Sequence, residues 1–244
     1  MSIISGEPAG EKERPSPTLL SGVTRALEEA IVSGEFPPGS ALREVSLAGR
    51  FKASRGTVRE AFRALSEQGL VEIHSRRGAI VPQLSPQRAR EIFSLRAVLE
   101  SFAVKLALTE GRIRELERER IQRAFDYMRR CVAAGEVAAL VEADMSFHWA
   151  ICSPCGHTLL LDHLRRLQVS TRQFIACTKF YDSDAESEVE SHAPLLRAVL
   201  QNEADRAERA MREHITTAGE RLLLKMLTNL SGTETLRRQR RPAQ

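Results

Sequence analysis

Two groups of side chains in this sequence carry the means to do chemistry. The first is a carboxylate and three imidazoles. In Asp144-Met145-Ser146-Phe147-His148 the acid and the ring stand at i and i+4, so one helix face presents both and they can clasp a cation from the same side. His192 precedes Leu195, Leu196 and Val199, and His214 lies among Ala207, Ala210, Met211 and Ala218, so both follow the inward register of their helices. Buried neutral imidazoles need partners, and a divalent cation would satisfy all three; taken singly, each histidine is more often a hydrogen-bonded core residue. The second group is a comb of guanidinium groups. Arg55, Arg59 and Arg63 are four apart, beside an apolar stripe of Val58, Ala61, Phe62 and Leu65. Ser54 sits where an N-cap belongs, so the start of that helix and Arg55 are aimed outward together. Arginine can fork to guanine O6 and N7 or to phosphate, and a helix packed on one side and arginine-lined on the next suits a major groove. On an exposed helix the same arginines can simply be a solvated face.

The elements that must hold these groups can be read around them. Glu44 to Phe51 is a short helix with Leu47 and Ala48 inward, broken at Lys52-Ala53, which gives helix, tight turn, helix. Gly69 ends the arginine-bearing helix. Leu70-Val71-Glu72-Ile73 and Ala79-Ile80-Val81 then read as two short strands joined by a basic tip, His74-Ser75-Arg76-Arg77-Gly78. Leu20, Val23, Leu27, Ala30 and Ile31 mark a preceding amphipathic helix that Gly34 closes, and Pro37-Pro38-Gly39 turns the chain into the pair that follows. Residues 18–82 are therefore expected to form a winged helix-turn-helix that grips duplex DNA through the arginine-lined helix and the basic tip.

Pattern breaks at Pro82-Gln83-Leu84-Ser85-Pro86, so residues 83–86 read as a linker. Beyond it, residues 87–230 are helical almost throughout, with six helices expected near 86–109, 112–134, 136–152, 157–181, 184–201 and 203–230. Ile92, Leu95, Leu99, Phe102 and Leu106 give the first of these a core-facing stripe, and an antiparallel bundle is the economical packing. The fold class is mainly α. Residues 1–17 lack periodicity and read as a disordered tail, and 231–244, with Arg237, Arg238, Arg240 and Arg241, as a frayed basic tail.

Composition bounds the rest. The chain has 244 residues, 42% apolar and 28% charged, ordinary proportions for a globular protein; aromatics are few, at 5%, and alanine, leucine, arginine and glutamate dominate, which favours helices. A net charge of +4 is a mild lean toward anionic partners. No apolar run reaches membrane-spanning length and the N-terminus lacks a basic-then-apolar signal, so a cytoplasmic protein with no membrane association is expected. Among Cys131, Cys152, Cys155 and Cys177, the pair Cys152-Ser153-Pro154-Cys155 has C-x-x-C spacing. No second pair completes a zinc site and no preceding strand suggests a redox unit, so all four read as reduced structural thiols.

At this point the sequence resembles a known family. Ile31 to Gly39, Ser54-Arg55-Gly56-Thr57-Val58-Arg59-Glu60-Ala61, Leu65, Gly69-Leu70-Val71 and Arg77-Gly78-Ala79-Ile80-Val81 match the GntR transcription regulators over roughly 19 to 82. The resemblance implies that Ser54, Arg55, Thr57 and Arg59 meet DNA, with Arg55 and Arg59 reading bases, that the wing tip at Arg77 and Gly78 enters the minor groove, and that Arg43 is a further contact. Thr57 stands where many relatives carry proline, which implies altered contacts on an intact helix. The run Glu190 to Val199, continuing through Ala204-Asp205, Ala207, Met211 and His214, is similar to the FCD ligand-binding domain of the FadR-like subgroup. Arg96-Ala97-Val98-Leu99-Glu100 matches its first helix, and Asp144 and His148 its metal motif. This likeness, spanning about 88 to 226, implies a metal held by Asp144, His148, His192 and His214, with open positions facing a cavity. Three imidazoles and one carboxylate suit zinc or nickel better than calcium or magnesium. Relatives commonly sense small carboxylic or sugar acids; such an effector could ligate the metal, with Arg96 pairing its other end or, equally, a bundle glutamate. Six helices imply the VanR-like variety, and His157, where many relatives have asparagine, leaves the start of its helix open.

The function expected is a metabolite-responsive transcription regulator, a repressor by the commoner direction in relatives, acting as a homodimer on a two-fold operator. A metal-dependent hydrolase is the alternative, though only Glu190 stands near the metal motif in sequence as a general base and no pattern places it. A third reading keeps the metal as a structural staple in a constitutive DNA-binding protein.

Overall fold

The computed structural model describes residues 18–74, 78–182 and 184–239, as backbone alone from 229 onward. The expected tail over 1–17 and Arg77 at the wing tip lie outside these residues.

Thr18 caps α1 (Leu19–Val32) by accepting from the Ser21 amide, and the helix buries Val23, Leu27, Ala30 and Ile31. α2 (Glu44–Phe51) stops at Lys52, which adopts the left-handed conformation and reverses the chain. α3 (Arg55–Glu67) begins at Ser54, whose Oγ accepts from the Thr57 amide at 3.0 Å, and turns Val58, Ala61, Phe62 and Leu65 into the core against α1. These residues form one apolar cluster with Leu42, Leu47, Leu70, Ala79 and Val81. The wing has three strands rather than two. Ala41–Leu42 (β1) pairs antiparallel with Gly78–Ile80 (β3), which also pairs with Glu72–His74 (β2) in the order β1-β3-β2. A two-residue strand is too short to show alternation, so sequence pattern misses it. Gly78 opens β3 at φ +86°, and a Cβ there would sit 2.5 Å from the Leu42 carbonyl oxygen. Only glycine fits this close approach.

Helices fill the remainder. α4 (Pro86–Thr109) starts on a Ser85 cap with Pro86 in its first turn, so it takes up the end of the expected linker. It is followed by α5 (Glu115–Ala134), α6 (Val137–Cys152), a single 3-10 turn (Ser153–Cys155), and α7 (Thr158–Thr178). His157 caps α7: its Nδ1 accepts from the Leu160 amide at 3.3 Å, the role asparagine commonly takes. The expected fifth bundle helix is two, α8 (Ala185–Glu190) and α9 (Ala193–Leu200). Pro194 in the first turn of α9 has no N–H to continue the ladder from α8, so the chain breaks at Ser191-His192. The bundle thus has seven α-helices among the described residues, and the six-helix count behind the VanR-like expectation does not hold. α10 (Ala204–Gln239) runs past residue 230, where a frayed tail was expected to begin.

α4 lies along α10 at the centre, and its inward face differs from the stripe expected. Leu95 and Phe102 are 45% and 47% exposed, while Ala89, Ile92, Phe93, Ala97, Ala103, Val104 and Ala107 are buried, together with Arg96 and Glu100. Two charged residues inside that face mask the periodicity by which it would be read. α7 touches both halves of the molecule. Val169 packs on the N-terminal core, Ser170 Oγ donates to the Gln68 carbonyl at 3.4 Å, and Arg172 bridges Glu28 of α1 at 3.0 Å and Glu142 of α6 at 2.5 Å. No helix among the described residues is long and apolar enough to cross a membrane.

Candidate functional site

The bundle brings its predicted ligands together. Asp144 and His148 face inward one turn apart on α6, His192 sits at the break before α9, and His214 lies on α10. One nitrogen from each of the three rings falls within 4.8 Å of the others. His192 Nε2 lies 2.9 Å from Asp144 Oδ1, and His148 Nε2 is 3.9 Å from the same oxygen. Asp144, His148 and His192 are each less than 5% exposed.

The opposite edge of every ring is fixed. His148 Nδ1 meets Glu100 Oε2 at 2.6 Å, and Glu100 Oε1 accepts from Arg96 Nε at 2.6 Å. His192 Nδ1 lies 3.0 Å from the Glu188 carbonyl and 3.1 Å from that of Val189. His214 Nδ1 lies 3.3 Å from Ser191 Oγ, which already donates its own proton to the Glu188 carbonyl. Each Nδ1 therefore faces an acceptor; donating there would leave the Nε2 lone pairs, with an Asp144 oxygen beside them, for a bound cation. Metal-binding histidines are oriented by this kind of outer partner. Glu100 and Ser191 escaped sequence reading because they lie 48 and 23 positions from the rings they hold.

The electrostatics agree. Burial would raise Asp144, but its hydrogen bond to His192 and the nearby His148 and Arg96 outweigh it and hold the carboxyl at about 2. Burial likewise opposes Glu100, which Arg96 and His148 bring down to about 2. Burial pushes His214 well below the ordinary histidine range, reinforced by His192 and His148, so its ring is a neutral donor at pH 7. Tyr181 is pushed well above the usual phenol range by burial and by the adjacent Asp144 carboxylate. Three imidazoles, each with an outer partner, plus one anionic oxygen fit a zinc-like ion.

These groups line a cavity of about 20 Å³, walled on its apolar side by Phe93, Ile175, Phe180, Ile215 and Ala218. Arg96 lines it too, while its Nε is committed to Glu100, the bundle-glutamate alternative weighed for this residue. Glu190 lies outside, ion-paired with Arg129 at 3.0 Å. The buried thiols Cys152 and Cys155 are free, with Cys155 Sγ accepting from the His157 amide at 3.5 Å.

The other predicted site is a broad concavity on the winged module, lined by Arg43, Glu44, Val45, Arg55, Arg59, Ile73, His74 and Gly78. Four predicted DNA-facing residues, Arg43, Arg55, Arg59 and Gly78, thus share one surface. Ser54 and Thr57 stand at the start of α3, their hydroxyls 2.9 Å apart. Glu44, not foreseen, accepts from both Arg59 and Arg55.

Comparison with known proteins accords with both halves. Residues 19–81 match the family described as bacterial regulatory proteins, gntR family, and residues 91–217 match the FCD domain. The HTH-type transcriptional repressor GlaR of Escherichia coli is 31% identical, over 82% of this chain and 93% of its own length. The HTH-type transcriptional repressor RspR of the same organism is 26% identical, over 84% and 90%. The solved structure of E. coli McbR/YncC superposes with a TM-score of 0.74 at 19% identity, covering 86% of this chain and 99% of that one, which speaks to the fold. GlaR and RspR are transcriptional repressors by name, as both matched domains would have it, and the hydrolase alternative falls with them. The chain belongs to the GntR family of DNA-binding transcription regulators, with an FCD domain as its second half.

Proposed function

We propose that the chain is a repressor whose hold on a two-fold operator is set by a small carboxylate or sugar acid at a metal site. The carrying observation is that Asp144, His148, His192 and His214 line one cavity, with the three rings close enough to share an ion and each backed by its own outer partner. Those four residues would hold a divalent transition ion, zinc or nickel by the donor set, and the ion would supply a Lewis-acidic point for a carboxylate. Arg96, on the cavity wall, would meet the effector's other end. A cavity of about 20 Å³ has room for an ion or a water but not for an organic acid, so admitting one would require lining side chains, such as Phe180 and Tyr181, to move. They follow directly on α7, whose middle turns grip the DNA-binding module through Val169, Ser170 and Arg172. Effector entry would bias α7 between two packings and so change how the two recognition helices are presented.

A homodimer is part of this reading. Leu95, Val98 and Phe102 stand at i, i+3 and i+7 on one face of α4, all more than 40% exposed. A second copy would cover that apolar face and set the spacing of paired half-sites.

The small cavity also favours a second reading, in which the metal is a staple and DNA binding is constitutive. Thermal shift with a panel of carboxylates, with and without chelator, separates the two. An acid that stabilises only the metal-loaded protein supports sensing. Stabilisation by metal with no response to any acid supports the staple.

A further inference from the structure

We propose that Glu44 is a positioning residue for base readout, holding one edge of the Arg59 guanidinium so that the other is presented to DNA. Glu44 Oε1 accepts from Arg59 Nε at 2.9 Å and Oε2 from Arg59 Nη2 at 2.8 Å, while Arg55 Nη2 lies 3.5 Å from Oε2. The contact crosses between helices, from the first residue of α2 to the second turn of α3. The α2 N-terminus favours the carboxylate charge there. The Glu44 side chain is 15% exposed and that of Arg59 is 51%, so a largely covered acid anchors a guanidinium whose far end faces solvent. Arg63, one turn on, pairs instead with Glu60 of its own helix.

The geometry has a chemical consequence. Two parallel hydrogen bonds occupy the Nε–Nη2 edge and leave the Nη1–Nη2 end free, and that end is a fork matching guanine O6 and N7. An unanchored arginine has several rotamers, many of which reach phosphate and carry no sequence information. A carboxylate in the groove also repels phosphate, so it lowers non-specific affinity. Glu44 thus trades general grip for discrimination.

The inference rests on Arg59 reading a base, and the test separates the two ideas. The full chain, with Glu44→Ala, Glu44→Gln and Arg59→Ala variants, is used to enrich duplexes from a randomised library. The wild-type-enriched duplex and an unrelated one of equal length are then titrated by anisotropy across a salt series. Circular dichroism establishes equal helix content, and Glu44→Gln, which keeps one acceptor oxygen, carries the test should the alanine variant fold poorly. We expect Glu44→Ala to lose the same guanine preference that Arg59→Ala loses, to bind the unrelated duplex more tightly, and to lower the ratio of specific to unrelated affinity by about tenfold, with Glu44→Gln between. If Arg59→Ala loses the preference and both Glu44 variants keep it at an unchanged ratio, positioning is overturned and readout stands. If Arg59→Ala keeps the preference, both fall.

Discussion

At the scale of single residues, the proposed metal site would depend on groups outside its ligand set. Glu100 holds His148 by Nδ1 and is itself held by Arg96, in a region where all three are at least 97% buried. Removing its charge should loosen the ring without deleting a ligand. We expect Glu100→Gln to weaken metal affinity by about 10- to 100-fold, measured by competition with a chromogenic chelator; unchanged affinity would deny the outer partner its role. Protonation gives a second handle. His214 is kept neutral in the fold, whereas the unfolded chain binds a proton near the ordinary value of 6.5. The unfolded state therefore binds more protons below that pH, and the metal-free protein should lose stability as pH falls from 6.5. Asp144 and Glu100, both held at about 2, add a further loss as pH falls from their ordinary values of 3.8 and 4.5 toward 2. Melting temperature against pH checks this, and His214→Gln should flatten the upper part of the curve. The sequence made Asp144 and His148 readable because i and i+4 is a local relation. Glu100 and Ser191 were hidden because their relation to the rings exists only once helices pack.

At the scale of elements, spacing and caps decide how well the site is built. The N-terminal module was legible nearly whole: Ser54 caps α3, Lys52 turns the chain, and the apolar stripe of α3 is the stripe that is buried. Phe62 is 1% exposed at the centre of that core, and Phe62→Ala should destabilise it by about 3–5 kcal/mol, read by denaturant unfolding. In the bundle the register of α4 was misread, because a helix that buries the charged Arg96 and Glu100 does not show a clean 3.6 period. The split between α8 and α9 was likewise written in Pro194, yet its consequence, putting His192 at a helix start, needed the fold to be seen. α4 and α10 approach so closely that a Cβ on Gly219 would lie 2.8 Å from Phe93 Cβ. Phe93 also lines the cavity. Gly219→Ala should therefore cost about 1–3 kcal/mol and reduce metal retention together, whereas a loss of stability with full metal content would show the two to be independent.

At the scale of the whole molecule, α7 is the only described helix that both walls the cavity, through Ile175, and packs into the N-terminal core, through Val169. Arg172 ties it to α1 and α6 at once, and α6 carries Asp144 and His148. Cutting that tie should leave each half intact but uncouple them. Arg172→Ala is expected to keep its metal and to bind DNA, with the response of DNA affinity to metal removal reduced. The most direct measurement of the central claim, that the state of the buried cavity sets the grip on DNA, is the affinity for a library-enriched duplex in metal-loaded protein, chelator-treated protein and His192→Ala. Coupling between sites predicts a change of about fivefold or more on metal removal, reproduced by His192→Ala. Equal affinity in all three would contradict it.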